Sequence, residues 1–278
     1  MRHETIDSGG LTYPSCRYGM SRLTFRGPKQ SLDKPYLAFI GGTETYGKFI
    51  ADPFPALVAG KAKKTCINFG TVNGGVDAFV NDPTVMSICH DAEMTVVQVM
   101  GANFLSNRFY SVHPRRNDRF LRASTVMQAI FHDVDFSQFT FTRHMLGALY
   151  KLAPERFEVV VSELRAAWVA RMRNMLGQTG PRVALLWFSR DPMTDQPWFE
   201  QPNALKVDPL FITKEMIDEL RPLVKTVIEV VPTATAQNEG TKGMHFPPLQ
   251  SQAASEMLSV ASHHEAGTQI AETLRPYL

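Results

Sequence analysis

The chain of 278 residues is 44% hydrophobic and 20% charged, which indicates one large globular domain or one domain with extensions. Its formal net charge of +2 is too small to indicate nucleic acid or an anionic membrane as a partner. The sequence contains neither a signal-peptide pattern nor an apolar run of about 18 residues. Its three cysteines, Cys16, Cys66 and Cys89, are too widely spaced for a disulfide framework. We therefore expect a cytoplasmic protein without a membrane span.

Along the chain, residues 1–34 predict an irregular N-terminal arm, because they are rich in Gly, Ser, Pro and Arg and lack periodicity. Residues 35–278 predict a single α/β domain. Short apolar runs indicate buried parallel strands at residues 36–40, 65–69, 95–100, 182–188 and 226–231. Helical patterns are expected at residues 46–59, 82–92, 154–176 and 213–223, with final helices at about 249–262 and 263–275.

The stretch between the third and fourth predicted strands differs from the rest. Residues 104–153 are polar and aromatic, and they indicate an inserted loop region with helices at residues 121–132 and 139–152. The alternation of strands and helices predicts a three-layer, flavodoxin-like α/β fold with a parallel five-stranded sheet and helices on both faces. Sheets of this kind bind ligands beyond the carboxyl ends of their strands.

Several segments that follow predicted strands carry groups suited to acyl transfer. Thr43 supplies a hydroxyl after the first strand, and Gly74 supplies a backbone amide after the second. Asn103 supplies a side-chain amide after the third strand, and His245 supplies an imidazole in a late polar loop. A hydroxyl, two amide donors and a histidine are the components of a nucleophile, an oxyanion hole and a general base.

The order of these segments resembles that of the SGNH/GDSL hydrolase superfamily. Residues 40–44 resemble the block with the nucleophilic serine, residues 68–75 the glycine block, and residues 99–103 the asparagine block. Residues 245–254 resemble the late histidine block. The resemblance implies that Thr43 is at the nucleophile position, that Gly74 and Asn103 bind the oxyanion, and that His245 is the general base.

The chain departs from the superfamily pattern at three positions. Thr43 replaces the serine, and its branched side chain is stiffer and more hindered. Phe104 replaces the aspartate of the third block, and Lys242 lies three residues before His245, where an aspartate orients the imidazole. We therefore expect a divergent member that is closer to a bacterial domain family than to a familiar esterase.

Each candidate residue also has a structural interpretation. The Thr43 hydroxyl is suited to capping the following helix, and the Asn103 amide to bonding its own loop. His245 is also typical of a surface or helix-capping residue, and Gly74 of a position that needs backbone freedom. Glu44, next to Thr43, is interpreted as a first-turn or surface residue rather than as an acid–base group.

A second group of candidates follows Asn103. His113, Arg115 and Arg116 lie in a basic segment whose guanidinium groups are suited to a phosphate, sulfate or carboxylate on a substrate. The alternative is a solvated loop whose arginines pair with nearby acidic residues.

Other chemistries lack their motifs. The sequence contains no P-loop and no dinucleotide fingerprint, and residues 263–265 (His-His-Glu) are too compact to form a metal site by themselves. We therefore expect no cofactor and no metal. The sequence predicts an acyl ester hydrolase or acyltransferase that acts on a polar small molecule or saccharide. An oligomeric state is compatible with the sequence. The alternative is a group transferase with a sulfated or phosphorylated donor, or a binding protein with a decayed hydrolase site.

Overall fold

The structure, a computed structural model, describes residues 10–200 and 205–278. Residues 1–9 of the predicted arm and residues 201–204 of the loop after the fourth predicted strand lie outside the described residues. Within the described part, strands alternate with helices along most of the chain, as the apolar runs predict.

A parallel sheet forms the centre of the fold. Its strands are β3 (Tyr36–Gly41), β4 (Thr65–Gly70), β5 (Met94–Gln98), β8 (Val183–Phe188) and β9 (Thr226–Val230). Two antiparallel pairs accompany it, namely β1 (Ser15–Cys16) with β2 (Phe25–Arg26) and β6 (Tyr110–His113) with β7 (Arg116–Ala123). The order across the parallel sheet is β4-β3-β5-β8-β9. The five strands predicted from the apolar runs are confirmed to within two residues.

Helices cover both faces of this sheet. The described α-helices are α1 (Thr43–Tyr46), α2 (Phe54–Ala62), α3 (Val76–Val80), α4 (Pro83–Asp91), α5 (Thr125–Ile130), α6 (Thr142–Leu152), α7 (Pro154–Thr179), α8 (Lys214–Leu220), α9 (Ala234–Asn238), α10 (Ser251–Ser255) and α11 (Val260–Leu274). Side chains of α2 and α11 pack on one face, and those of α4 and α7 pack on the other. The predicted three-layer, flavodoxin-like architecture is therefore confirmed.

Alternate side chains of β3 join the two layers. Leu37 and Phe39 contribute to the cluster formed with α2 and α11, whereas Ala38 and Ile40 contribute to the cluster formed with α4 and α7. Every residue of β3 is buried, because this strand is central and helices cover both of its faces. This is why a continuous apolar run, rather than an alternating one, marks the strand in the sequence.

The predicted helix at residues 121–132 is wrong in its first turn. Residues 121–123 belong to β7, which pairs with β6, and α5 begins only at Thr125. The Ser124 hydroxyl caps this helix by accepting a hydrogen bond from the Met127 N–H at 3.2 Å. Leu121 is 54% exposed on the hairpin, so its apolar side chain does not mark a buried helix face.

Two other helix boundaries also differ from the prediction. The helix expected at residues 46–59 is divided into α1 and α2, because Gly47 ends α1 with a left-handed φ of 73° and Pro53 precedes α2. The C-terminal pair divides earlier than predicted, because Ser259 caps α11 by accepting a hydrogen bond from the Ser262 N–H at 3.0 Å.

The described part of the predicted arm contains β1 and β2 and packs on the sheet. The Phe25 ring contacts the Phe69 ring of β4 edge-on, with 4.9 Å between centroids. The Arg26 guanidinium donates hydrogen bonds to four backbone carbonyls, those of Tyr46, Gly47, Ile50 and Ala51. Burial lowers the pKa of Arg26 from its ordinary value. The arm therefore fixes the segment between α1 and α2, immediately after the residues that follow β3.

Trp168 joins α7 to the loop after β5. It is fully buried, and its Nε1–H donates to the Met100 carbonyl at 2.8 Å. We expect Trp168→Phe to lower the free energy of unfolding by about 2–4 kcal/mol, because it leaves a void and a buried carbonyl without its donor. Urea denaturation measures the effect. Val159→Ala, at an exposed position of α7, is the control, with an expected change of about 0.5 kcal/mol or less. Equal changes for the two variants would contradict this packing.

Two further findings concern the described residues only. None of their helices combines the length and the apolar character that crossing a membrane requires. They also contain no group of three or more His, Cys, Asp or Glu side chains placed to hold a metal ion. Cys16, Cys66 and Cys89 are free thiols.

Candidate active site

A cavity of about 520 Å³ lies at the carboxyl ends of the central strands. Its walls are residues 42–44 after β3, 73–74 after β4, 98–101 at the end of β5, 188–191 at the end of β8, and the loops 206–209 and 256–258. Strand β3 lies between β4 and β5. The chain therefore passes from β3 to β4 on one side and then crosses back to β5 on the other side of β3. This switch in strand order is the usual ligand position in doubly wound sheets.

Thr43 lines the cavity, and its hydroxyl is bonded to the loop after β4. Oγ1 donates to Asn73 Oδ1 at 3.3 Å and accepts from the Asn73 N–H at 3.0 Å. Asn73 Nδ2 donates to Asp118 at 3.0 Å, which fixes the orientation of the Asn73 amide. Asn73 itself has a left-handed φ of 56°, a conformation that asparagine adopts more readily than most residues. The Thr43 proton is therefore directed at an amide oxygen and not at a base.

Gly74 also lines the cavity, but its amide is used within its own loop. The Gly74 N–H donates to the Thr71 carbonyl at 3.0 Å and closes a turn. A Cβ at position 74 would lie 1.9 Å from the Thr71 hydroxyl oxygen, so this close approach requires glycine. The amide expected to bind an oxyanion thus already has a backbone acceptor.

Asn103 lies behind the cavity wall. It is fully buried, and it is absent from the described residues that line the cavity. A Cβ at Gly101, which does line the cavity, would lie 2.6 Å from Asn103 Oδ1. Neither amide atom of Asn103 has a hydrogen-bond partner among the described residues. The Asn103 amide oxygen therefore lies against Gly101, a residue of the cavity wall.

The structure does not bring His245 into the cavity. This residue is exposed, and its backbone N–H donates to the Phe49 carbonyl at 2.9 Å. The Phe246 ring packs edge-on against Phe49 with 5.8 Å between centroids, so the segment is attached to the loop between α1 and α2. Among the described residues that line the cavity there is no histidine. Lys242 pairs with Glu239 at 3.6 Å.

The basic residues expected to bind a substrate lie on the β6–β7 hairpin. His113 Nδ1 accepts hydrogen bonds from the backbone N–H groups of Arg115 and Arg116, both at 3.2 Å. Arg116 pairs at 3.5 Å with Asp118, the carboxylate that also holds the loop after β4. None of the three lines the cavity in the described part of the chain, but Arg116 is connected to the Thr43 hydroxyl through this network.

Glu44 lines the cavity, and its carboxylate is bonded to a buried histidine. Its Oε2 lies 3.3 Å from Nε2 of His263, and its Oε1 accepts from the Leu258 N–H at 3.3 Å. His263 belongs to α11 and is fully buried. Its Nδ1 accepts from the Phe54 N–H at 3.2 Å, so the neutral ring carries its proton on Nε2 and donates to Glu44.

Sequence reasoning did not find this pair because the two residues are 219 positions apart. His263 occurs on one face of α11 with the buried residues Ala266, Ile270 and Leu274, a spacing typical of a core histidine. The only local signal is a titratable side chain within that apolar stripe. It becomes informative only when the residue that faces it is known.

Gln98 provides a second group that the motifs do not reveal. Its Oε1 accepts hydrogen bonds from the Gly42 N–H at 3.1 Å, the Thr45 N–H at 3.3 Å and the Thr45 hydroxyl at 2.6 Å. These donors fix which end of the amide is the oxygen. Nε2 has no acceptor among the described residues, and Gln98 lines the cavity. The Nε2 amide group is therefore the hydrogen-bond donor that Gln98 offers to a ligand in the cavity.

Charged residues of both signs line the cavity. Arg143 and Asp208 form an ion pair at 2.5 Å. Arg190 donates to the Met257 carbonyl at 2.7 Å. Neither Arg190 nor Lys206, which also lines the cavity, has a carboxylate partner within the described ranges. The cavity is thus suited to a polar ligand.

One protein family matches the whole sequence. Residues 1–278 match the family described as "Domain of unknown function (DUF6473)". The chain belongs to the DUF6473 family. A search of curated proteins finds no match to the DUF6473 chain. The family description names no reaction.

Three solved structures are similar to the DUF6473 chain at low identity. A lipase from a goat rumen metagenome has 10% identity and a TM-score of 0.45, covering 85% of this chain and 96% of its own. A carbohydrate esterase family 2 enzyme with a carbohydrate-binding domain, from Corynascus thermopiles (Myceliophthora fergusii), has 9% identity and a TM-score of 0.45, covering 91% and 69%. A lipase/acylhydrolase from Enterococcus faecalis has 12% identity and a TM-score of 0.40, covering 87% and 96%.

Proposed function

We propose that this chain is an acyl ester hydrolase or acyltransferase that acts on a polar substrate such as a saccharide ester. One observation carries the proposal: Thr43 and Glu44, directly after β3, both line the cavity, one with a hydroxyl and the other with a carboxylate. This is the strand end at which open α/β sheets bind ligands. The resemblance of residues 40–44 and 99–103 to the SGNH/GDSL blocks supports the same class of chemistry.

We propose that Nε2 of Gln98 donates a hydrogen bond to the carbonyl oxygen of the substrate. Its amide is fixed by three donors on Oε1 before any ligand binds, so no reorganisation is needed when charge develops on the carbonyl oxygen. Gly74 and Asn103 do not take this role in the proposal. The Gly74 N–H is bonded to the Thr71 carbonyl, and Asn103 is absent from the described residues that line the cavity.

The polar character of the substrate follows from the cavity lining. Ion-paired and unpaired charged groups line the cavity, and hydroxyl-rich ligands bond well to such groups. Phe104 and Phe188 add apolar surface on which an acyl group or the apolar face of a sugar ring can pack.

A second candidate function is group transfer from a sulfated or phosphorylated donor. Arg190 and Lys206 favour it, because both line the cavity and neither has a carboxylate partner among the described residues. A guanidinium and an ammonium in this position are suited to an anionic group. Thermal shift with sulfated and phosphorylated donors tests this candidate, since a bound ligand raises the melting temperature by mass action. Melting temperatures that stay unchanged with every such donor would contradict it.

Steady-state assays with acyl esters and acyl donors of sugars and polyols test the first proposal. We expect the wild type to turn over at least one ester. We expect Thr43→Ala to lower kcat/KM about 10-fold or more, because the loop that Asn73 forms loses its anchor beside the reacting carbonyl. Thr268→Ala, in a separate groove that Lys61 and Glu272 also line, is the matched control with unchanged rates. The proposal is contradicted if folded wild type turns over no ester, or if the two variants behave alike.

A further inference from the structure

We propose that Glu44 is the general base of this cavity and that His263 is its positioning residue. The inference rests on the proposed acyl-transfer function. In that reaction a base has to accept the proton of the nucleophile. Neither residue takes this role in the SGNH/GDSL resemblance, which assigns the base to His245.

Glu44 differs from the other carboxylates that line the cavity. Asp191 and Glu256 are exposed, and the Asp208 side chain is 63% exposed and paired with Arg143. The Glu44 side chain is 18% exposed and bonded to two buried groups, the His263 ring and the Leu258 N–H. A carboxylate held in one position within a cavity is suited to proton transfer, because its lone pairs point in fixed directions.

The His263 ring is held by two aromatic rings and by contacts at both of its nitrogens. Its ring lies between Phe54, with centroids 5.9 Å apart, and Phe188, with centroids 5.3 Å apart. The Phe54 N–H bonded to Nδ1 leaves Nε2–H as the donor to Glu44. Each Glu44 oxygen accepts one hydrogen bond from the protein and keeps a second lone pair, so the carboxylate remains able to take a proton from the cavity side.

The nucleophile that Glu44 activates is water or an acceptor hydroxyl. The Thr43 proton is directed at Asn73 Oδ1, and the Thr43 oxygen accepts from the Asn73 N–H. An attack by Thr43 would break both contacts, and no base among the described residues accepts its proton. Glu44 extends instead toward α11 and the loop at Leu258, so it serves a nucleophile that enters with the substrate.

The step balances with water as the co-reactant. Glu44 takes one proton from water while the water oxygen forms a bond to the carbonyl carbon, and the π electron pair moves to the carbonyl oxygen beside Gln98 Nε2. The tetrahedral intermediate then collapses, the bond from carbon to the leaving alkoxide breaks, and Glu44 returns its proton to that oxygen. An acceptor hydroxyl in place of water gives acyl transfer with the same proton path.

Chemical rescue distinguishes a base from a structural contact. We expect Glu44→Ala to lower kcat about 10²–10⁴-fold, the usual contribution of a general base, and added sodium formate to restore part of it. Glu272→Ala, on the exposed end of α11, is the control, with wild-type kcat and no response to formate. If Glu44→Ala keeps wild-type kcat, or if formate restores nothing, the base assignment is overturned.

Variants of the positioning residue separate geometry from folding. His263→Gln keeps a side-chain N–H donor, and we expect its kcat to exceed that of His263→Leu by about 10-fold, at similar KM. His264→Leu changes the neighbouring exposed histidine and serves as control. Equal kcat per folded molecule for wild type, His263→Gln and His263→Leu would show a purely structural contact and overturn the positioning role.

The outcomes also separate this inference from the proposed function. If the wild type hydrolyses esters and Glu44→Ala does so equally well, the acyl-transfer function stands and Glu44 is not its base. If the folded wild type acts on no ester, both are overturned. Where Glu44→Ala fails to fold, Glu44→Asp replaces it, because the shorter carboxylate withdraws from the cavity while the charge is kept. A kcat equal to that of the wild type in that variant overturns the inference.

Discussion

Gly70→Ala is expected to destabilise the folded protein strongly. A Cβ at position 70 would lie 2.1 Å from the Tyr46 nitrogen and 2.5 Å from the Thr45 carbonyl carbon, and both atoms are backbone. Helix α1 cannot withdraw, because Thr45 is bonded to Gln98. We expect a loss of about 3 kcal/mol or more in the free energy of unfolding, since overpacking against backbone cannot be relieved by a rotamer change. Urea denaturation of purified protein measures it.

Gly60→Ala is the matched control for this prediction. Gly60 lies within α2, and a Cβ there would have no heavy atom within 4 Å. We expect it to raise the free energy of unfolding by up to about 1 kcal/mol, because alanine has the higher helix propensity. The two substitutions should therefore act in opposite directions. Equal effects would contradict the contact of α1 with β4, which determines where Thr43 and Glu44 lie.

Gln98→Leu is expected to cost at least about 3 kcal/mol of stability. It removes the acceptor of three donors, namely the Gly42 N–H, the Thr45 N–H and the Thr45 hydroxyl. A buried donor without a partner costs roughly 1–3 kcal/mol. The loop after β3 would lose its connection to β5, and thermal unfolding reports the loss as a lower melting temperature.

Gln98→Glu separates the structural role of this residue from its proposed catalytic role. The carboxylate keeps an acceptor for the same three donors, but it replaces the Nε2 donor by an oxygen. We expect a folded protein whose kcat is about 10²–10³-fold lower, the usual effect of losing one oxyanion donor. Gln128→Glu, at an exposed position of α5, is the control for added charge. A folded Gln98→Glu variant with wild-type kcat would contradict the assignment of Nε2 to the carbonyl oxygen.

The strands of the parallel sheet could be predicted from the sequence, whereas the β6–β7 hairpin could not. The central strands were predictable because β3 and its neighbours are covered on both faces and therefore appear as continuous apolar runs. The β6–β7 hairpin was not predictable in this way. Residues 116–123 alternate between exposed and buried irregularly, and their pairing depends on partners that no local period reveals.

The candidate site was predictable only in part. Thr43 and Gly74 could be placed at the cavity because residues directly after neighbouring parallel strands converge at one edge of the sheet. The pair of Glu44 and His263 could not, because it depends on how α11 packs against α2. The long segment after β9 contributes residues 256–258 to the cavity wall, whereas His245 is attached to the loop at Phe49.

The most direct test of Glu44 as the base of this cavity is kcat for the best ester substrate in the wild type and in Glu44→Gln. The glutamine oxygen can accept from the Leu258 N–H or from the His263 Nε2–H, but not from both. One buried donor then loses its acceptor at a cost of roughly 1–3 kcal/mol, so we expect a folded variant whose melting temperature is lower by about 2–4 °C for each kcal/mol. The glutamine cannot accept the proton, so kcat should fall by about 10² or more. A folded Glu44→Gln variant with the kcat of the wild type would contradict the account.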